Sequence, residues 1–219
     1  MSRIFKAAKL DFFACKSMLL LISILVLLGI VIGVATHGPI YTMMFIMVFG
    51  VTSAGAVFSV HEKSHSDKLY GFLPLKKTEM ILGRYLYALL IGLAYVVIGA
   101  VLGLAMSRIM SSGTSPLAYW ATLAIAFTYY GFATGVAYPI YFKFTFAKAY
   151  VFTMVPMYII LVLFLVLTRK TNFVSTLVSL INFFSANMYL LPVFGLLAGL
   201  VLLAVSAWIS NLIYTRKEI

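Results

Sequence analysis

Two histidines one helical turn apart, His61 and His65, enclose a glutamate in the run His61-Glu62-Lys63-Ser64-His65. At that spacing two imidazoles on one helix face can hold zinc while the carboxylate activates a water, as in a metalloprotease. A catalytic zinc also needs a third protein ligand on the same side. Asp67 and Glu79 are close in sequence but lie beyond a helix break, and His37 is expected on the opposite side of the membrane. The other reading of the pair is two histidines at a solvated helix end. The acids are few: Asp11, Glu62, Asp67, Glu79 and Glu218 are all five, and none falls inside a long apolar run. Ion-driven transporters usually keep an ionisable group within the bilayer, where charge is costly and therefore functional. Energy for any transport is thus expected to come from elsewhere. It does not come from a P-loop in this chain. Gly50 and Gly55 have the right separation, but Ala56 stands where the lysine is needed, inside an apolar run.

The elements around these residues belong in a bilayer. Hydrophobic residues make up 64% of the 219 and charged residues 10%, and the mean hydropathy is +1.11. At about 20 residues per crossing helix there is room for about six spans and none for a soluble catalytic domain. The expected fold is an all-α integral membrane protein, a single domain over 1–219, with spans at 17–35, 40–60, 85–107, 116–138, 149–167 and 190–214. Of the 16 Lys and Arg, only Arg108, Arg169 and Lys170 fall in the loops of one side. The rest flank the other side, which the positive-inside bias makes cytoplasmic, together with both termini and all five acids. The net charge of +11 is then this bias plus anionic headgroups rather than a nucleic-acid surface. The single Cys15 excludes an intrachain disulfide. The N-terminal apolar run starts late, is long and lacks a cleavage site, unlike a signal peptide.

Three segments are not spans. Residues 2–16 are predicted to form an interfacial amphipathic helix, with Ile4, Phe5, Ala8, Phe12 and Cys15 on the lipid face and Lys6, Lys9 and Lys16 opposite. Residues 168–189 are predicted to form an extracellular helical element, either re-entrant or lying on the surface, because a connection this long and apolar is rarely structureless. The third is residues 61–84. Ser64 or Ser66 can cap a short helix running through Asp67 to Leu73, Pro74 stops it, and Thr78 can cap the next helix with Glu79 at its positive end. So short a helix with apolar residues exposed is unstable alone and needs a partner. Within the spans, Gly99/Gly103, Gly131/Gly135 and Gly195/Gly199 are spaced for close helix packing inside the chain. Pro156 is expected to kink the fifth span.

Glu62-Lys63, Asp67, Leu73-Pro74, Glu79 and Gly83-Arg84-Tyr85 resemble the pattern of type-2 ABC exporter permeases. The nearest likeness is to the small bacterial branch of phenol-soluble modulin and lantibiotic or peptide exporters. In outline the resemblance extends over the whole chain; the histidines at 61 and 65 depart from it. It implies a permease subunit without enzymatic activity, energised by a separate cytoplasmic ATPase that binds ATP and Mg. It also implies a second permease copy or paralogue, in the bacterial plasma membrane. By the same resemblance Asp67, Lys68, Leu69, Tyr70, Phe72 and Leu73 form the coupling helix on the ATPase, and spans two and five, with Pro156, line the route. Arg84 anchors the third helix at the inner interface. Lining candidates are Tyr41, Thr42, Thr52, Ser53, Thr153 and Tyr158, with helix–helix hydrogen bonding as the other use of these groups. Spans with aromatics and hydroxyls but no charges suit a hydrophobic or amphipathic cargo, with peptides the specific case. A channel or membrane-organising protein with no ATPase partner is the remaining alternative.

Overall fold

The computed structural model describes residues 3–35, 39–64, 76–109, 116–151, 153 and 190–215. Among them every regular element is helical. They are α1 (Arg3–Ala14), a 3-10 turn (Cys15–Met18), α2 (Leu19–Ala35), α3 (Pro39–Lys63), α4 (Lys77–Ile109), α5 (Pro116–Lys143) and α6 (Leu190–Thr215). A further helical stretch occupies 146–151. Four helices are long and apolar enough to cross a bilayer: Thr42–Lys63, Thr78–Ile109, Tyr119–Lys143 and Leu190–Tyr214. The apolar stretch Val26–Ala35 in α2 is shorter. Most of the expected fifth span, 149–167, and all of 168–189 lie outside the described residues.

The helices overrun the expected spans at one end of the bundle. α3 continues past Val60 through His61, Glu62 and Lys63, and α4 begins at Lys77, two turns before the apolar run. Local hydrogen bonds account for both extensions. Ser64 closes α3 by donating its N–H and its hydroxyl to the Val60 carbonyl, at 2.9 and 2.7 Å. At the start of α4 the Glu79 carboxylate accepts the Lys76 N–H at 2.9 Å, the reach-back half of a capping box. The cap is therefore Lys76, and Thr78 lies inside the helix rather than at its end.

α5 also passes its expected limit at Tyr138, running through Pro139 to Lys143. Proline lacks the N–H that would have bonded to the carbonyl four residues back. That carbonyl belongs to Gly135, and the Ser206 hydroxyl of α6 donates to it at 2.6 Å. A neighbouring hydroxyl makes an intramembrane proline tolerable in this way.

The core lies among α3, α4 and α5, around Tyr130, Tyr138, Phe127, Ile46, Met47 and Val57. α6 packs on α5 through glycine. A Cβ on Gly131 would sit 2.6 Å from the Gly199 carbonyl oxygen, and one on Gly195 would sit 2.9 Å from the Ala124 Cβ. Such approach gains dispersion that bulkier residues forbid. Buried tyrosines tie the helices further: Tyr130 donates to the Ala88 carbonyl and Tyr138 to that of Ala54. The outward faces are apolar, for example Leu27, Val31, Val97, Val101, Val201 and Trp208. Lipid tails suit that surface, because helices that satisfy their own backbone can face hydrocarbon.

Candidate functional site

Of the polar residues of the sequence motif, Glu62, Lys63, Glu79 and Arg84 stand at the end where α3 stops and α4 starts. α1 lies against this end. Its inner face is made of small residues: Ala7, Ala8 and Cys15 are buried, and Ala7 meets α4 at Gly83, where an added Cβ would come within 2.6 Å of the Ala7 Cβ. The expected lipid face of 2–16 is thereby corrected. Ala8 and Cys15 face protein, while Phe5, Leu10, Phe12 and Phe13 are exposed together with Lys6 and Lys9. Periodicity separates apolar from charged residues, but it does not tell a lipid face from a packed face of small residues.

In the middle of that packed face stands Asp11, 1% exposed. Its Oδ1 accepts a hydrogen bond at 2.9 Å from Nε2 of His61, itself 4% exposed. A carboxylate out of water is costly unless hydrogen-bonded to a partner, and this bond supplies one. Beside it, the Tyr87 hydroxyl hydrogen-bonds to Cys15; burial pushes the Cys15 thiol above its ordinary value, the Tyr87 bond working the other way. The next residue of α3, Glu62, turns to another element. Its carboxylate accepts the backbone N–H of Phe146 at the start of the 146–151 stretch. Oxygen acceptors are favoured at such helix starts, where N–H groups lack intrahelical partners. Glu79, besides its capping bond, comes within 4.0 Å of Arg3 of α1.

Arg84, about two turns into α4, does not reach outward. It is 5% exposed, and its guanidinium lies 4.7 Å from the Phe58 ring centroid and 5.4 Å from that of Phe142. Its Nε and Nη2 find no acceptor among the described residues. It therefore anchors α4 to α3 and α5 by cation–π contact inside the bundle. Asp11 lies outside the long apolar runs, yet it is buried in protein, as are His61 and Arg84.

Asp67, Lys68, Leu69, Tyr70, Phe72 and Leu73, together with His65, Pro156 and Tyr158, lie outside the described residues. Of the lining candidates, Thr42 and Ser53 point into the bundle: Thr42 bonds to the Met106 sulfur at 3.2 Å, and Ser53 to the Tyr95 hydroxyl at 2.6 Å. Thr153 is buried and lies 3.2 Å from the Tyr141 hydroxyl. Thr52 is exposed and bonds to its own helix at Phe49. Tyr41 stands in the first turn of α3. Helix–helix hydrogen bonding is thus the use that Ser53 has here. For the zinc reading, no three of His, Cys, Asp and Glu come together among the described residues, and His61 Nε2 is engaged by Asp11.

The long apolar helices with outward-facing hydrophobic surfaces define a multi-pass membrane protein. The chain belongs to the ABC-2 family transporter proteins, whose model matches residues 8–215, and is thus a membrane permease subunit of the ABC type. No curated protein and no solved structure matches it.

The sequence motif located this end of the bundle but missed what Asp11 and Glu62 do there. Their partners stand 50 and 84 residues away. The available signal was an acid on the inner arc of an otherwise basic amphipathic helix, which a purely interfacial helix does not need.

Proposed function

We propose that this chain is the permease subunit of an ATP-driven exporter and moves hydrophobic or amphipathic peptides out of a bacterial cell. The observation that carries the reading is the family membership across residues 8–215. A separate cytoplasmic ATPase binds ATP and Mg and does the hydrolysis, and two permease chains, identical or paralogous, work with two ATPase subunits. The chain crosses the plasma membrane six times, with both termini inside, as the distribution of Lys and Arg favours. Asp67, Lys68, Leu69, Tyr70, Phe72 and Leu73 dock on the ATPase. Support comes from the two roots of that segment. At one root His61 and Glu62 each hold a different neighbouring element, and at the other Glu79 caps α4 while Arg84 grips α3 and α5. A push on a segment rooted so firmly moves helices rather than a loose loop.

The test is Leu69→Glu with Tyr70→Glu, read by co-purification with the ATPase from detergent-solubilised membranes. The expected result is loss of the ATPase from a chain that still runs as a folded species. Unchanged co-purification overturns the docking assignment.

A further inference from the structure

The coupling segment has two roots, and α1 touches both. Near its start Arg3 approaches Glu79, which caps the α4 root. Near its end Asp11 holds His61 at the α3 root. Eight residues of helix separate Arg3 from Asp11, about 12 Å at 1.5 Å per residue. α1 therefore lies as a bar across the two ends of residues 64–76. The two attachments are unequal. The Arg3 side chain is 59% exposed, so its ion pair is screened and weak. The Asp11–His61 bond is buried on both sides, with side chains 2% and 5% exposed. Between them α1 packs closely along α4, with Ala7 seated on Gly83. An isolated helix of 12 residues is marginal in water, so α1 owes its place to such contacts.

We infer that Asp11 is a positioning residue: its hydrogen bond with His61 Nε2 fastens α1 to the α3 root, so that α1 holds the two roots of the coupling segment at a set separation and moves with them. The inference rests on the coupling reading of residues 61–84. It gives the N-terminal helix a part in transmission besides that of an interfacial anchor.

Cys15, the only cysteine, is buried on the same inner face one turn beyond Asp11 and reports whether α1 is docked. The experiment uses the full chain with its ATPase in lipid vesicles. Two quantities are read: the rate of Cys15 alkylation by N-ethylmaleimide, and the permease-dependent change in ATP hydrolysis. Asp11→Ala and His61→Ala should speed alkylation about tenfold, the effect of losing one hydrogen bond to a charged group on a local opening equilibrium. Both should also lose the permease-dependent part of hydrolysis. His61→Gln puts an amide N–H near the place of Nε2 and should keep both quantities, a rescue that mere side-chain volume does not explain. Alkylation and hydrolysis unchanged in Asp11→Ala and His61→Ala overturn the inference, as does a His61→Gln variant as defective as His61→Ala. An unaltered chain that leaves its ATPase's rate untouched overturns the coupling reading, and this role of Asp11 with it. A responsive unaltered chain with equally responsive alanine variants overturns the inference alone.

Discussion

The Ser206 hydroxyl donates to the Gly135 carbonyl at 2.6 Å, the carbonyl that Pro139 leaves without an intrahelical donor. The same hydroxyl lies 2.6 Å from the Tyr85 hydroxyl, which lies 2.7 Å from Ser210. Each hydroxyl has one proton to give. With Ser206 giving its proton to Gly135, Tyr85 must donate to Ser206 and Ser210 to Tyr85. The chain of donors crosses three helices, α6, α4 and α5, and ends on the proline gap. Ser206→Ala should therefore destabilise the bundle by about 1–2 kcal/mol, because it strands the Gly135 carbonyl and leaves the Tyr85 hydroxyl with Ser210 as its one remaining partner of the two. Restoring the missing N–H with Pro139→Ala should shrink that loss. A double-mutant cycle read by thermal unfolding in detergent should give a coupling of about 0.5–1 kcal/mol. Additive losses would mean that Ser206 does not serve the proline.

The α5–α6 contact makes a sharper steric test. Gly131→Ala drives a methyl to 2.6 Å from the Gly199 carbonyl oxygen, where backbone must move. Gly55→Ala places its methyl 3.5 Å from the Tyr141 ring, an ordinary contact. The first should cost about 1–3 kcal/mol, as overpacking does, and the second should be close to neutral. Thermal unfolding of the two variants side by side reads the difference, and equal losses would contradict the packing of α5 on α6.

These two features show what the amino-acid pattern carries and what it hides. The Gly131/Gly135 and Gly195/Gly199 spacings are local, and close intrachain packing follows from them directly; α5 and α6 meet there. The all-helical class is equally local, because long apolar runs must satisfy their own backbone in lipid. The ends of α3, α4 and α5 were less legible. Hydropathy marks where charge begins, whereas these helices end where caps and cross-helix bonds stop supporting them. α5 continues past Pro139 because Ser206, 71 residues away, supplies the donor that the proline lacks. Arg84 was read as an anchor at the inner interface, and nothing local announces the rings of Phe58 and Phe142 that hold it inside the bundle. His61, Glu62 and Arg84 stood out in the sequence, but the fastening of His61 to α1 and of Glu62 to 146–151 did not.

Burial of Cys15 has a kinetic consequence that needs no substrate. The thiolate is the reactive form, and a thiol pushed above its ordinary value has less of it at neutral pH. In the folded chain Cys15 should react with maleimide more slowly than a free thiol at pH 7. Its rate should also begin to climb at higher pH than that of a free thiol. Unfolding in strong detergent should remove both effects. A folded-state rate equal to that of free cysteine across this range would show that α1 does not cover Cys15.

Arg84 allows the energetic role of a buried cation to be separated from that of its volume. The guanidinium gains cation–π attraction from Phe58 and Phe142, worth about 2 kcal/mol when desolvated. Set against this are two donors that lack acceptors among the described residues, each costing about 1–3 kcal/mol. The balance favours removal of the charge if the space stays filled. Arg84→Met keeps an unbranched apolar chain between the rings and should be at least as stable as the unaltered protein. Arg84→Lys keeps the charge but loses the flat face that stacks on the rings, so it should be less stable than Arg84→Met by about 1 kcal/mol or more. Thermal unfolding of the three proteins at one pH and detergent concentration orders them. If Arg84→Met is instead the least stable, the guanidinium has an acceptor that offsets its burial, and the aromatic contacts are the lesser part of what holds it.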